Sequence, residues 1–190
     1  MFTINWSNGL KATLKRLYPD PVGAKMTCLE IGSFEGKGSL MIIDKLCSNP
    51  ESKLVCIDPW EDVYVKDKNE YKNIDHFFVN QYGRFISNTL STKKIVPVRG
   101  YSDDTVPLLT DRFDFVYIDG DHSPEQVYKD AVMSFDKTKI GGVIVFDDYL
   151  WVHDGIKCKD GVDRFLREYS EKIEVLFQNW QVGIRKKFNK

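Results

Sequence analysis

The sequence has no excess of charge of either sign, no long apolar run and no leader-like start. Its 27 lysines and arginines face 28 aspartates and glutamates, so no bulk basicity indicates nucleic-acid binding. No stretch approaches the roughly 18 apolar residues of a membrane span. The first residues also lack a basic start followed by an apolar segment. We therefore expect no membrane partner, no nucleic-acid partner and no secretory signal.

Cysteine is scarce as well. The four cysteines form no Cys-x-x-Cys pair, so the spacing gives no pattern for a zinc site or a thioredoxin-like centre. Cys28 and Cys56 lie inside apolar runs, which is typical of small buried side chains in a reducing compartment. These features predict a cytoplasmic protein.

What the sequence does contain is enough apolar material for one folded domain. Of its 190 residues, 42% are hydrophobic and 13% aromatic, which excludes disordered and disulfide-scaffold chains. The predicted strands are the apolar runs Met26–Ile31, Leu54–Ile57, Ile95–Val98, Phe113–Ile118, Val143–Phe146 and Val175–Phe177. The helix-like segments between them are Gly38–Cys47, Ile74–Leu90, Asp103–Leu109, Pro124–Phe135 and Gly161–Tyr169. This alternation predicts an α/β fold, a Rossmann-like three-layer sandwich with a parallel sheet covered on both faces.

The two ends of the chain differ from this repeating pattern. Glu174–Gln178 and Gln181–Arg185 are strand-like and close together, which predicts a C-terminal antiparallel hairpin that completes a mostly parallel seven-stranded sheet. Residues 1–20 predict an amphipathic helix whose apolar face holds Trp6, Leu10, Leu14 and Leu17. We divide the chain into an N-terminal cap, residues 1–23, and a main domain, residues 24–190. We expect the helix of the cap and a predicted loop over residues 60–73 to form the side of a pocket that binds the acceptor substrate, because loops around a rigid scaffold commonly determine specificity.

A glycine-rich turn follows the first strand. Glu30 ends the strand, and Gly32, Gly36 and Gly38 open the next helix with the spacing Gly-x3-Gly-x-Gly. This differs from the dinucleotide and phosphate-loop motifs. An acidic residue before the first glycine favours a cationic or hydroxyl-rich ligand, and glycines allow a ligand to approach the backbone. The alternative is a tight turn that binds no ligand.

Polar residues also follow the next two strands. Asp58 stands at the carboxyl end of the second strand, where a carboxylate can accept hydrogen bonds from both hydroxyls of a ribose. Ser102 and Asp103 follow the third strand, where they also suit the cap of a helix. Capping does not exclude a contact with a nucleobase.

Acidic residues are concentrated after the fourth and fifth strands. Asp119 and Asp121 follow one strand, and Asp147 and Asp148 follow the other. Burying several carboxylates together is costly unless a cation or a proton compensates. Oxygen ligands favour a hard cation, Mg²⁺ first and Ca²⁺ or Mn²⁺ as alternatives. The competing interpretation is that these acids only cap loops and helices.

His122 follows Asp119 by three residues. A histidine near a cation-activated hydroxyl is the natural general base at neutral pH. Its position before Ser123 and Pro124 also fits a residue that merely enters a helix.

Taken in order, these residues resemble the class I S-adenosylmethionine-dependent O-methyltransferases. The closer similarity is to the small metal-dependent branch of macrocin and related sugar O-methyltransferases and cephalosporin-hydroxylase-like proteins, with catechol O-methyltransferase more distant. The resemblance covers about residues 24–185, and its most specific part is Tyr117–Tyr149. Catechol-type enzymes have Asn at the position of Asp148 and Lys at the position of His122, so the sequence is closer to the sugar-type branch. The short N-terminus departs from that branch.

The resemblance implies a role for each motif residue. Glu30 and Gly32 would face the methionine end of S-adenosylmethionine, Asp58 its ribose, and Ser102 and Asp103 its adenine. The complete cofactor set is Glu30, Gly32, Ser33, Gly36, Asp58, Ser102, Asp103 and Asp119. The metal ligands would be Asp119, Asp147 and Asp148, and His122 would be the catalytic base.

The implied reaction is methyl transfer to a hydroxyl of a small molecule or sugar. A non-catalytic nucleotide-binding or scaffold domain of the same fold, and a hydroxylase-like use of the same site, remain alternatives. A nucleic-acid methyltransferase is disfavoured because the chain has no Asn/Asp-Pro-Pro-Tyr/Trp motif. The oligomeric state stays open, a homo-oligomer included.

Overall fold

A seven-stranded sheet forms the middle layer of the structure, a computed structural model that describes residue 2 and residues 8–61 and 80–188. The strands of this sheet are β1 (Thr27–Ile31), β2 (Lys53–Asp58), β3 (Ile95–Arg99), β4 (Phe113–Ile118), β5 (Thr138–Phe146), β8 (Ile173–Gln178) and β9 (Val182–Lys186). A separate small hairpin pairs β6 (Val152–His153) with β7 (Ile156–Lys157). The helices are α1 (Asn8–Leu17), α2 (Lys37–Leu46), α3 (Gln81–Thr89), α4 (Ser102–Thr105), α5 (Pro124–Lys137) and α6 (Cys158–Glu168), and short 3-10 turns cover Val106–Leu108 and Ser170–Lys172.

The strand order is β3-β2-β1-β4-β5-β9-β8. The first five strands are parallel, and β9 pairs antiparallel with both β5 and β8. This confirms the predicted Rossmann-like sheet with its C-terminal hairpin. The strands β2 and β3 lie on one side of β1, whereas β4 and β5 lie on the other, so the order in which strands are added reverses between β1 and β4. Ligands of open α/β sheets bind at such a switch point.

Each face of the sheet carries its own apolar core. Alternate residues of β1 show the division: Leu29 and Ile31 pack beneath α5 and α6, whereas Cys28 packs with α1 and α2 on the other face. The strands are buried on both faces, which is why their sequences are continuous apolar runs. Glu30 points to the same face as Cys28 and is buried there, which is unusual for a carboxylate.

Several element boundaries differ from the predicted ones. The strand predicted from Val143 begins at Thr138, because the chain continues to pair with β4 across an irregularity that includes Gly141 and Gly142. The helix predicted over Asp103–Leu109 is a single α-helical turn followed by a 3-10 turn that contains Pro107. The β6–β7 hairpin was not predicted.

The predicted N-terminal helix is present as α1, which packs Leu10 and Leu14 into the core beside α2. Trp6, residues 62–73 of the predicted loop and residues 74–79 of the predicted helix before α3 lie outside the described residues. All four cysteines are buried free thiols, which confirms the predicted burial of Cys28 and Cys56. Within the described ranges, no helix is long and apolar enough to cross a membrane.

Candidate functional site

A cavity of about 910 Å³ lies at the carboxyl ends of the parallel strands, around the switch point between β1 and β4. This volume is in the usual range for a small-molecule site. Ten of the residues predicted for the site line it: Glu30, Gly32, Ser33, Asp58, Ser102, Asp103, Asp119, His122, Asp147 and Asp148. Gly36 is the exception among the predicted residues.

The glycine turn after β1 fits its backbone closely against the loop after β4. Gly32 has a φ of +84°, and a Cβ added there would overlap the carbonyl oxygen of Asp119, so only glycine fits. Gly36 faces α3 instead of the cavity, since a Cβ added to it would lie 2.7 Å from Cγ2 of Thr89. The turn therefore requires Gly32 for the fit against the backbone of Asp119, and Gly36 for its φ of +83° and its fit against α3, whether or not a ligand is bound.

Glu30 lies at the base of the cavity and is 1% exposed. Its Oε2 accepts a hydrogen bond from the Ser39 hydroxyl, and the Cys56 thiol lies 3.5 Å from the same oxygen. Burial raises the pKa of Glu30 to about 7, because these hydrogen bonds offset only part of the lost hydration. A cationic group placed beside Glu30 would favour its ionised form.

Asp58 fixes the loops on either side of the cavity. Its two oxygens accept the backbone N–H of Phe34 at 2.9 Å and of Trp60 at 2.7 Å. Burial still raises the pKa of Asp58 above its ordinary value. A carboxylate oxygen has further lone pairs, so these contacts leave acceptor capacity for ligand hydroxyls.

The loop after β3 forms another wall of the cavity, where Ser102 begins α4. The Ser102 hydroxyl donates to Oδ1 of Asp130 at 2.6 Å. Gln126 Nε2 donates to Oδ1 of Asp103 at 2.8 Å and lowers the pKa of that carboxyl. Asp130 and Gln126, both on α5, line the cavity and were not predicted from the sequence.

Asp119, His122 and Asp148 meet at the edge of the cavity between β4 and β5. Each offers a ligand atom within 4.8 Å of the other two, and this is the group of side chains that can hold a metal ion in the described part of the chain. His122 Nε2 lies 2.9 Å from Oδ2 of Asp148. Burial alone would raise the pKa of Asp148, but the hydrogen bond and charge of His122 outweigh it and the pKa is lowered. Burial and the neighbouring carboxylates raise the pKa of Asp119 well above its ordinary value.

Asp147 was predicted as a metal ligand, but its carboxylate is already bonded within the protein. Oδ2 accepts the Tyr117 hydroxyl, and Oδ1 accepts Gln181 Nε2 at 2.9 Å and the backbone N–H of Asp148 at 2.8 Å. His122, predicted as the base, takes the place of Asp147 in the group that can share a cation. Asp147 thereby shapes the turn that presents Asp148, whose φ is +50°.

Two tryptophans that the sequence did not single out flank this acidic edge. The Trp151 ring stacks on His122, with centroids 4.7 Å apart and planes inclined by 29°. Trp180, which is 53% exposed, donates from Nε1 to Oδ1 of Asp148 at 3.1 Å. Both follow strands of the sheet, and that position was the only signal available in the sequence.

The cavity as a whole is acidic. Its described lining residues include one lysine, Lys37, and no arginine. They include ten carboxylates: Glu30, Glu35, Asp58, Asp103, Asp104, Asp119, Asp121, Asp130, Asp147 and Asp148. Glu35 is already paired with Arg84, and Asp103 with Lys129. Desolvation and mutual repulsion make the remaining buried carboxylates unfavourable unless positive charge enters. The cavity is therefore suited to a cationic ligand, a metal ion or both.

Comparison with known proteins gives one family. Residues 29–149 match the family described as "Methyltransferase domain". An uncharacterised protein, R132 of Acanthamoeba polyphaga mimivirus, is 34% identical over 128 residues, which are 65% of this chain and 52% of R132. The chain thus spans about half the length of this curated relative.

Solved structures share the fold at low identity. The O-methyltransferase NovP superposes with a TM-score of 0.72 at 16% identity, covering 94% of this chain and 80% of NovP. The O-methyltransferase TomG of Streptomyces achromogenes, solved in complex with S-adenosylmethionine, gives a TM-score of 0.62 at 17% identity, covering 99% of this chain and 92% of TomG. At such identities the similarity shows the fold alone.

Proposed function

Since the chain belongs to the methyltransferase-domain family and has the class I S-adenosylmethionine-dependent fold, we propose that it transfers a methyl group to a hydroxyl of a small molecule or sugar, with a divalent cation bound beside the cofactor. The observation that carries the oxygen acceptor and the cation is the meeting of Asp119, His122 and Asp148 at the edge of the cavity. A cofactor-binding scaffold has no need of an imidazole that contacts one carboxylate and has a second within 4.8 Å.

The donor set fits a divalent cation. Two carboxylates and one imidazole suit Mn²⁺, which accepts oxygen and nitrogen ligands, and the carboxylates alone suit Mg²⁺. When bound, the cation supplies positive charge that polarises the acceptor hydroxyl and favours loss of its proton. Asp119 and Asp148 would hold it. Burial and, after it, repulsion by the neighbouring carboxylates raise the pKa of Asp119, and a cation would relieve that repulsion.

His122 is the base of the proposed reaction. Its Nε2 contacts Asp148 and its ring stacks on Trp151, so two neighbours fix the plane of the imidazole. When Nε2 carries its proton toward Asp148, Nδ1 is the basic nitrogen that takes the proton of the acceptor hydroxyl.

The cavity residues would hold the cofactor. Glu30 would face its methionine end, Asp58 its ribose, and Ser102 with Asp103 its adenine. The acidity of the cavity supports this assignment, because S-adenosylmethionine carries a sulfonium and an ammonium group while its demethylated product has lost the sulfonium charge. Much of the acceleration would come from aligning the two bound substrates.

Isothermal titration of S-adenosylmethionine, with and without Mg²⁺ or Mn²⁺, followed by transfer of a labelled methyl group to a panel of sugars and catechols, tests the proposal. We expect binding of the cofactor, saturable binding of the cation, and methylation of a hydroxyl that stops in EDTA and returns with added cation. Full-rate methylation in EDTA contradicts the cation. Cofactor binding with neither cation binding nor transfer to any acceptor favours the scaffold alternative.

A further inference from the structure

Asp130 is a buried carboxyl group for which the proposed reaction has no role. It lies on α5, is 1% exposed and still lines the cavity. The buried face of α5 runs through Val127, Asp130, Ala131 and Ser134, so the carboxylate occupies a position where an apolar residue is expected. A charge at such a position is costly unless it is paired.

The two oxygens of Asp130 have different surroundings. Oδ1 accepts the Ser102 hydroxyl at 2.6 Å and Gln126 Nε2 at 3.0 Å. Within the part of the chain that the structure describes, no group donates to Oδ2. Oδ2 lies beside the backbone of Gly120, which lines the cavity, since a Cβ added to Gly120 would be 3.8 Å from it. This oxygen is therefore an acceptor that lacks a donor at the cavity wall.

The neighbouring groups cannot supply that donor. The Gln126 amide nitrogen already serves Asp130 and Asp103, at 3.0 and 2.8 Å, and lies 3.2 Å from the Ser102 oxygen. The Ser102 hydroxyl proton is directed to Oδ1 of Asp130. The side chains of Ser102 and Gln126 thus have no donor left for Oδ2 of Asp130, so the complement of this oxygen is an amino group.

We propose that Asp130 determines the nucleobase specificity of the cofactor site, by accepting a hydrogen bond from the exocyclic amino group of a 6-aminopurine. The inference rests on the proposed S-adenosylmethionine site and adds to it a residue that selects the base. A 6-oxopurine would place a carbonyl oxygen against Oδ2, so that two acceptors would face each other. Such a mismatch in a buried site is strongly unfavourable.

The test compares the affinities of S-adenosylhomocysteine and S-inosylhomocysteine by titration at about pH 8, where Asp130 is ionised. Burial raises the pKa of Asp130 to about 6, below this pH. The wild-type protein should bind the adenosyl compound at least about tenfold more tightly.

Asp130→Asn is the informative variant, because the amide has the size of the carboxyl group. Its oxygen stays toward Ser102 and Gln126, which are donors, and its NH₂ group takes the place of Oδ2 at the cavity wall. The preference should then fall by at least about tenfold or invert in favour of the inosyl compound. Asp160→Asn, the same change at an exposed position in the first turn of α6, should keep the wild-type ratio.

The possible failures are distinguishable. Equal wild-type affinities for the two compounds, or an Asp130→Asn ratio equal to the wild-type ratio, overturn the role of Asp130 and leave cofactor binding standing. Failure of the wild-type protein to bind either compound overturns the inference and the proposed function together. Equal wild-type affinities overturn the role without any variant. If thermal melting shows that Asp130→Asn is unfolded, the Asp130→Ser ratio is compared with the wild-type ratio in its place, and an unchanged ratio again overturns the role.

Discussion

The Tyr117 hydroxyl donates a hydrogen bond to Asp147 Oδ2, joining the ends of the neighbouring strands β4 and β5. Gln181, from the turn before β9, donates to the other oxygen of Asp147 and is bonded in turn by the Thr13 hydroxyl of α1. Asp147 therefore links both halves of the sheet and the N-terminal helix at the edge of the cavity. Its carboxylate also holds the N–H of Asp148, so the position of one acid depends on the hydrogen bonds of the other.

Replacing Tyr117 by Phe should lower the free energy of unfolding by about 1–3 kcal/mol, because a carboxylate shielded from water loses one of its donors. Urea denaturation of the unliganded protein measures the change. Tyr128→Phe is the matched control, since the Tyr128 hydroxyl also donates to a carboxylate, Glu168, but in an exposed pair. Equal losses in the two variants would contradict the importance of the Tyr117–Asp147 bond.

The unliganded protein should lose stability as the pH rises from about 4.5 to about 7, because of Glu30. The unfolded chain releases this proton near the ordinary pKa of 4.5, whereas burial keeps it bound in the folded state until about pH 7. The folded state binds more protons over this interval, so the free energy of unfolding falls as the pH rises, by about 3 kcal/mol from this group.

Glu30→Gln removes that titration and keeps an acceptor for Ser39. Unfolding free energies measured in urea at about pH 5 and about pH 8 should therefore differ less in this variant than in the wild-type protein. Glu171→Gln, at an exposed position, should leave the difference unchanged. A Glu30→Gln protein with the full wild-type difference would refute the assignment of the titration to Glu30.

The sheet could be predicted because burial on both faces leaves a direct trace in the sequence. Runs such as Phe113–Ile118 are apolar throughout, and parallel strands deliver their following residues to one edge. That rule was enough to bring Asp58, Asp119 and Asp148 to one cavity.

The tertiary contacts made by the helices and by the turn before β9 are not predicted by any comparable sequence pattern. Asp130 becomes a cavity residue only through the way α5 packs on the sheet, although its place on the apolar stripe between Val127 and Ala131 was a readable signal. Gln181 is far from Asp147 along the chain, and no pattern indicated that they pair. The β6–β7 hairpin is too short for an alternating pattern to emerge.

Asp148→Asn should weaken cation binding by at least about tenfold and leave the affinity for S-adenosylmethionine unchanged, because Asp148 is not among the proposed cofactor contacts. Asn is the appropriate replacement, since it tolerates the positive φ of this position, +50°, so the loss reports charge and not backbone strain. Titration with Mn²⁺ and Mg²⁺ measures it, and Asp154→Asn on the exposed β6–β7 turn serves as the control. Unaltered cation affinity in Asp148→Asn would remove this residue from the metal site.

His122→Gln should lower the rate of methyl transfer by roughly 10²–10⁴, the usual contribution of a general base, without changing the affinity for S-adenosylmethionine. The loss should be smaller at high pH, because an acceptor hydroxyl that ionises unaided no longer needs the imidazole. The matched control is His153→Gln, since His153 is exposed and lies near Asp154 Oδ2, at 3.4 Å, on the neighbouring hairpin. Two measurements on the variant, cation affinity and the methyl-transfer rate as a function of pH, distinguish a base from a metal ligand. If His122 is the base, the variant binds the cation as the wild-type protein does, and its rate recovers at high pH. A metal ligand instead produces a loss of cation affinity that matches that of Asp148→Asn and persists at high pH, and this result would reassign His122 from proton transfer to cation binding.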